Sequence, residues 1–585
     1  MKKILSLVLT ICLLLSLGST LIGCVPDNEE PIDPNKTQIY VGVTTSGVGT
    51  AWLDEFDRIY EERNPNIQII IDEKSSEYAS GELKRTLSGI RQDVIFSNQI
   101  LLNDIVENPE TGTQIADITD IITEGGNNSL YAKMWDSTKL SGMHNYGTTE
   151  APKFYGIPYF SSHYGMVYDV DMFEEFDLFD LPGYKGLNCI EGDAEDNFGP
   201  DGVENTYDDG LPATWEDFKI LLDVLVAKGI TPFTYSAKEP GYQNRWLSSI
   251  WASYEGANDY SLLTSLSGND SQFGTITPQN AWQLSKQTGK YAALKVAEYL
   301  TKHSLDNNGL SKYISSRVYK GGSHSAINAQ VEFINSWPAS LEENGALMKP
   351  IAFLLEGDWW ENEAKDSGTF DDCVEEYDDD RWGFRERNFG YFPFPKFIGS
   401  EATDGIPDQT NTMTTLGDDV GNSCSIAFVN EHSDVKEEAK KFLKFCFSDE
   451  MNALFTQVTG LMRPFDYEMS KAQLDMLTPY QLSLWNMVHD ENGKIDRASG
   501  RSRSQLYYYE MSYVKDAFNF AARIPGVGSE AGAKHTHPLD AFITYQDPNM
   551  TADNYFNHLV AGTDTAGQDG INEANWIAKL GSYFG

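Results

Sequence analysis

The order of apolar runs constrains this chain most. Ile39–Val43 (IYVGV) reads as a short strand and TTSGVGT as a polar loop. AWLDEFDRIYEERNP then places Trp52, Phe56, Ile59 and Tyr60 on one helical face, and Asn64-Pro65 stops the helix. IQIII at Ile67–Ile71 and DVIF at 93–96 are the next strands. Strand, helix, strand in that order predicts a mostly parallel sheet, hence an α/β fold. LPATWEDFKILLDVLVAKGITP predicts a second helix. Thr214 is its N-cap with Asp217 three residues on, Phe218, Leu221, Leu222 and Leu225 lie on one face, and Gly229 is the C′ residue. CSIAFV (424–429) predicts a strand, and the following segment a helix with Ala439, Phe442, Leu443 and Cys446 inward.

The N-terminus addresses the compartment. Lys2 and Lys3 precede an apolar run from Ile4 to Leu17, the layout of a signal peptide and short for a membrane span of about 20 residues. Leu21-Ile22-Gly23-Cys24 resembles the bacterial lipobox, which implies a signal over 1–23 and lipid on Cys24. Residues 24–38, rich in Pro, Asp, Asn and Glu, read as a flexible tether. The expected location is the outer face of the cytoplasmic membrane, lipid-anchored. The chain of 585 residues is long enough for two lobes with cores. A net charge of −43 argues against nucleic acid, which needs a basic footprint. Of six Cys, the four after Cys24 (Cys189, Cys373, Cys424 and Cys446) have no zinc spacing and allow three disulfide connectivities or none.

Several phrases occur in an order that resembles family 1 extracellular solute-binding proteins, the sugar-binding lipoproteins of ABC importers. They are NPNIQIII, DVIF, FYGIPYFSSHYGMVYDVDMFEEF, LPATWEDF, ALMKPIAFLLEGDWWENEA, FGYFPFPK, SCSIAFVNEHSDVKEEAKKFLKF and VTGLMRP. The resemblance spans about residues 38–466; acidic insertions near 188–210 and 366–381 and the part after 466 depart from it. It implies a two-lobed, hinge-connected α/β fold of the periplasmic-binding type II kind. Lobe 1 would take 39–158 and 388–452, and lobe 2 would take 159–387 and 453–585. The implied partners are an oligosaccharide and importer permease subunits, with the protein a monomer that needs no cofactor.

The resemblance also places the cleft. A pattern through Phe333, Gly345, Met348 and Gly357 leads to Trp359 as the sugar-stacking ring, with Trp360 the alternate and one of the two expected in the core. Asp358 and Glu361 would accept hydrogen bonds from hydroxyls. Tyr242, Trp246 and Trp251 are further candidates, the two Trp equally readable as a core pair, as are Tyr159, Tyr164 and Arg463. Open α/β sheets bind ligands beyond their strand ends, which adds Thr45, Ser46, Ser97 and Asn98. A structural calcium ion is a separate expectation. Asp193, Glu195, Asn197, Asp201 and Glu204 fall at loop positions 1, 3, 5, 9 and 12, with Asp201, Asp208 and Asp209 an alternative set. The glycine required at position 6 is missing, and a solvated acidic loop explains the stretch equally well. A cell-surface glycoside hydrolase with a carboxylate pair is the alternative function, since its sequence would also combine acids, Trp and a cleft. No GxSxG, HExxH, P-loop or dinucleotide fingerprint is present. A surface adhesin is a third class, which the α/β order argues against.

Overall fold

The computed structural model describes residues 31–583 apart from 45–46, 75–86, 98–106, 109–111, 142, 144, 188–196, 338–341, 344–345, 348, 412, 419–424, 490–492, 494, 500–512, 515–516, 521, 524–534, 545–549 and 562–569. Two sheets divide the molecule into lobes. The first has five strands in the order Ile67–Lys74, Thr37–Thr44, Val94–Ser97, Ile426–Val429 and Ile157–Pro158. Thr37–Thr44 pairs in parallel with both Ile67–Lys74 and Val94–Ser97, as the strand–helix–strand order predicts. The returning strand Ile426–Val429 is antiparallel to its two neighbours.

Side-chain alternation explains why this sheet is apolar throughout. Val94, Phe96, Ala427 and Val429 face the main core, whereas Ile95, Ile426 and Phe428 join Leu87 and Ile115 on the opposite face. Both faces are covered, so the strands read as unbroken apolar runs. The helix Ala51–Arg63 covers the main face with Trp52, Phe56 and Tyr60, spaced four apart. Trp52 meets Phe96 and Phe455 edge-on, both at 5.2 Å.

The second sheet has the order Phe389–Phe392, Tyr164–Asp169, Ile351–Gly357 and Thr231–Tyr235. Pairing shifts two lobe limits from those expected. Phe389–Phe392, expected in lobe 1, is hydrogen bonded to Tyr164–Asp169, so the chain returns to the first sheet only later. The helix Asp449–Thr459 still packs on the first lobe past residue 452, because Phe455 lies against Trp52. Behind the second sheet, the helix Trp215–Ala227 starts where the Thr214 hydroxyl accepts from Asp217 N at 3.2 Å. It ends in a Schellman motif: Ile230 N donates to Leu225 O, Gly229 N donates to Val226 O, and Gly229 has φ +81°.

Short crossings join the lobes. Tyr159 N donates to Ser425 O and Ser161 N to Met462 O, so the strap 159–163 runs between two other segments near the hinge. The part after 466 packs around the second lobe. The helix Pro479–Val488 lies on Phe389–Phe392. The helices Pro538–Thr544 and Ala552–Ala561 lie on Thr288–Lys302. Ile495–Ser499 forms a two-stranded parallel ladder with Thr414–Asp418, set against the helix Gly241–Ser265 and the first-lobe helix Asp136–Ser141. Among the described residues, no helix is long and apolar enough to cross a membrane.

Candidate ligand cleft

The cleft wall begins where the strand Ile351–Gly357 ends. Asp358 N donates to His163 O, and Trp359 then forms the N-cap of the short helix Trp360–Asp366 with φ −83° and ψ −3°. The helix start sends the two Trp side chains apart. Trp360 is fully buried, edge-on to Phe389 at 5.0 Å and Tyr480 at 5.7 Å. Trp359 remains partly exposed and folds back over Gly357, where an added Cβ would lie 2.5 Å from its ring. Its indole stands edge-on to Tyr164 at 4.9 Å and to Tyr242 at 6.4 Å. Tyr164 comes from the neighbouring strand, in register with Gly357. Tyr242 and Arg245 lie at the start of Gly241–Ser265. The Arg245 guanidinium lies 4.6 Å over the Tyr164 ring and hydrogen bonds its hydroxyl.

The other lobe reaches this corner through the loop after Thr37–Thr44. Gly47 has φ +67°, and a Cβ added there would sit 3.1 Å from Trp359 Cδ1 and 3.5 Å from Glu363 Oε1. An aromatic corner on one lobe therefore faces a glycine turn on the other.

Carboxylates line the adjoining wall. Glu356 and Glu363 both accept from Gln330 Nε2, at 3.1 and 2.9 Å. Burial raises the pKa of Glu356 well above the ordinary carboxylate value, and the neighbouring Glu363 raises it further. Burial also raises Glu363, against the lowering effect of hydrogen bonds from Gln330 and Trp359. Asp358 is buried and turned toward the strap. Its Oδ2 accepts from His163 N at 3.1 Å and lies 3.3 Å from His163 Nδ1, while Oδ1 has no hydrogen-bond partner. Glu361 faces away from the corner and accepts from the Thr478 hydroxyl at 2.5 Å. Burial pushes its pKa up to about 7.

The other expected residues separate by packing. Tyr159, Trp246 and Trp251 are core side chains at most 1% exposed: Tyr159 stacks on Trp52, Trp246 meets Phe233 and Phe394, and Trp251 meets Tyr260 and Phe520. Arg463 is fully buried, 4.2 Å over the Phe455 ring and 4.7 Å over Phe447, with Nη1 donating to Cys446 O. Burial lowers its pKa to about 10. A guanidinium enclosed by aromatic faces holds the first-lobe helices together rather than lining the cleft. Ser97 is buried at the end of its strand, and Thr45, Ser46 and Asn98 lie outside the described residues. The sequence reading missed Gly47, Gln330, Arg245 and the two glutamates. Arg245 lies one helical turn after Tyr242, and Glu356 and Glu363 flank the tryptophan pair, so spacing alone could have flagged those three.

In the acidic loop, Asp193 and Glu195 lie outside the described residues, as do Cys24, Cys189 and Cys424. Asp208 is fully buried and Asp201 nearly so. Asp201 N donates to Asp208 Oδ2 at 2.9 Å, and the Thr206 hydroxyl donates to Asp208 Oδ1 at 2.8 Å. Asp209 accepts from Asn205 N, Asn197 Oδ1 accepts from Gly199 N, and Glu204 is exposed. Among the described residues, no group of three or more His, Cys, Asp or Glu is placed to hold a metal ion. Cys373 and Cys446 are buried and unbridged.

Residues 43–309 match the family model of the bacterial extracellular solute-binding proteins. No curated protein matches the sequence. Among solved structures, the chain is similar to the apo form of RafE from Streptococcus pneumoniae, at 15% identity and TM-score 0.47 over 90% of this chain and 97% of that one. It is also similar to the Thermus thermophilus maltotriose binding protein bound with maltotriose, at 14% identity and TM-score 0.44 over 89% of this chain and 97% of that one.

Proposed function

We propose, from the match of residues 43–309 to the model of the bacterial extracellular solute-binding proteins, that this protein captures an oligosaccharide between its lobes and presents it to the permease subunits of an ABC importer. One observation carries the choice of ligand: the corner of Trp359, Tyr164 and Tyr242 at a strand end, opposite Gly47 of the other lobe. Apolar C–H faces of a pyranose pack on such rings, while acids and amides beside them accept from hydroxyls. Closing the lobes around a sugar is a hinge motion, the kind of domain closure that periplasmic binding proteins use. The protein binds and releases its ligand unchanged.

The same reading has the protein held outside the cytoplasmic membrane by lipid on Cys24, as a monomer. Cys24→Ser would leave it unprocessed or release it, and a lipid-modified, membrane-bound variant would refute the anchor. A calcium ion in the loop 193–209 is part of the proposal as a structural element. It is supported by the oxygen spacing from Asp193 and by the Thr206 hydroxyl, which lies within hydrogen-bond distance of both Asp201 Oδ1 and Asp208 Oδ1; burial and then the Asp201 charge raise the Asp208 pKa to about 8, a repulsion that a divalent cation would relieve.

Titration calorimetry of the whole protein against neutral and amine-bearing oligosaccharides, with a product assay on the same mixtures, tests the function. Binding of an oligosaccharide without cleavage is the expected result. Cleavage abolished by Glu363→Gln or Asp358→Asn would establish a hydrolase instead.

A further inference from the structure

We infer that the cleft is built for a carbohydrate carrying a cationic amino group, with Glu356 and Glu363 as its counter-ions and Gln330 as a third acceptor. This rests on the sugar-binding reading and narrows its substrate class.

The first ground is charge. Glu356 is 3% exposed, Glu363 partly exposed, and both carboxylates converge on one amide nitrogen, Gln330 Nε2. The groups around the pair from each element are mainly acids. Glu239 precedes the helix Gly241–Ser265, and Asp366 follows Glu363 on its own helix; both act on the pair by repulsion. Tyr242 contributes a phenol whose ionisation burial suppresses. The nearby cation, Arg245, is engaged with the ring and hydroxyl of Tyr164.

The second ground is an acceptor without a donor. Gln330 is fully buried and its Nε2 donates to both carboxylates, yet its Oε1, the other arm of the same amide, has no hydrogen-bond partner. A buried acceptor left unpaired is uncommon in a native core and points to a donor supplied from elsewhere. An ammonium has three N–H donors and a positive charge, which matches two carboxylates and one amide oxygen. The third ground is placement. Trp359 flanks Glu363, and Gly47 of the opposite lobe approaches both, so a ligand on the aromatic corner reaches the acids as the lobes close. Aromatic faces beside carboxylates favour an organic ammonium over a bare metal ion.

Proton linkage supplies a readout. Burial and mutual repulsion raise the pair above the ordinary carboxylate range, and a bound ammonium favours its ionised form, so while the sugar amine is fully protonated in solution binding releases protons and tightens as pH rises; above the amine's own pKa the amine takes up a proton on binding and the trend reverses.

The probes are the β-1,4-linked glucosamine trimer, its N-acetylated counterpart and maltotriose, titrated into the full protein at about pH 5.5, where an amine of α-amino type is fully protonated, in two buffers of different ionisation enthalpy. The glucosamine trimer is expected to bind at least tenfold tighter than the other two and to release protons. Glu363→Gln is expected to erase the preference. A neutral trimer that binds as well or better, or a preference that survives Glu363→Gln, would overturn the proposal and leave sugar binding standing. Proton release is read on the wild type, so its absence overturns the proposal even where the variant folds poorly. Calcium that stabilises the wild type but not Glu363→Gln would overturn it in favour of a metal. Failure of all three sugars to bind would overturn the sugar-binding reading as well.

Discussion

Trp359→Ala and Trp360→Ala form a pair whose outcomes should diverge, although the residues are adjacent. Trp359 makes two edge-on ring contacts, with Tyr164 and Tyr242. Each such pair contributes about 0.5–1.5 kcal/mol beyond the burial of the ring itself, so the two ring contacts set a lower bound of roughly 1–3 kcal/mol on the stability cost of truncation. Removing an aromatic anchor from a binding site costs on the order of 1–3 kcal/mol of affinity, or roughly tenfold to a hundredfold. Trp360 is fully enclosed by Phe333, Phe370, Phe389 and Tyr480. Its loss leaves a cavity and should cost about 3–5 kcal/mol. Scanning calorimetry of both variants, paired with titration of the tightest-binding oligosaccharide, separates the two effects. Trp359→Ala should lose affinity with a modest fall in Tm. Trp360→Ala should lose several degrees of Tm and, where it folds, keep affinity nearer wild type. Unchanged affinity in Trp359→Ala, with a Tm as low as that of Trp360→Ala, would make Trp359 an interior residue and refute the cleft assignment.

Gly47→Val should lower the ligand-free Tm and weaken ligand binding, because Gly47 has φ +67°, which costs a branched residue about 1–2 kcal/mol, and a Cβ there would meet Trp359 Cδ1 at 3.1 Å; an unchanged Tm with unchanged affinity by calorimetry would show that the loop does not seat on the ring. Glu361 has a pKa raised from 4.5 to about 7, so the folded state holds its proton longer than the unfolded state and stability is lost as pH rises across that window, by up to about 3 kcal/mol. Glu361→Gln should flatten this part of the Tm–pH curve while keeping an acceptor for Thr478, and parallel wild-type and variant curves would remove Glu361 as the cause. Chelation of calcium-loaded protein should lower Tm, with calcium restoring it; at a hundred times Kd the linkage amounts to about 2.7 kcal/mol, and an unchanged Tm would sink the structural calcium site.

Local pattern made much of the first lobe legible. Trp52, Phe56 and Tyr60 recur at helical spacing, and the apolar strands around them admit one alternation. The caps of Trp215–Ala227 were legible because Thr214 and Gly229 act within a few residues of themselves. The site was harder to read because burial is a tertiary property. Arg463 looks like a ligand-binding fork in sequence and is enclosed by four rings, contributed by two helices and the residue that caps a third. Asp358 and Glu361 flank the Trp pair in sequence, yet one turns to His163 and the other to Thr478, partners nearly 200 and more than 100 residues away. The sequence predicts one of Trp359 and Trp360 in the core, and neighbours on an extended strand would point to opposite sides. Their separation comes instead from a helix that begins between them.

The ladder between Thr414–Asp418 and Ile495–Ser499 has a mechanical consequence. It lies against the second-lobe helix Gly241–Ser265 and the first-lobe helix Asp136–Ser141, and Arg497 stacks on Trp135 at 4.2 Å while donating to Val488 O. Opening the mouth of the molecule must either part Arg497 from Trp135 or pivot about that stack. Under the proposed hinge motion the ladder would act as a tie rod between the lobes, and the dwell time of a captured ligand would then depend on a cation–ring contact outside the aromatic corner.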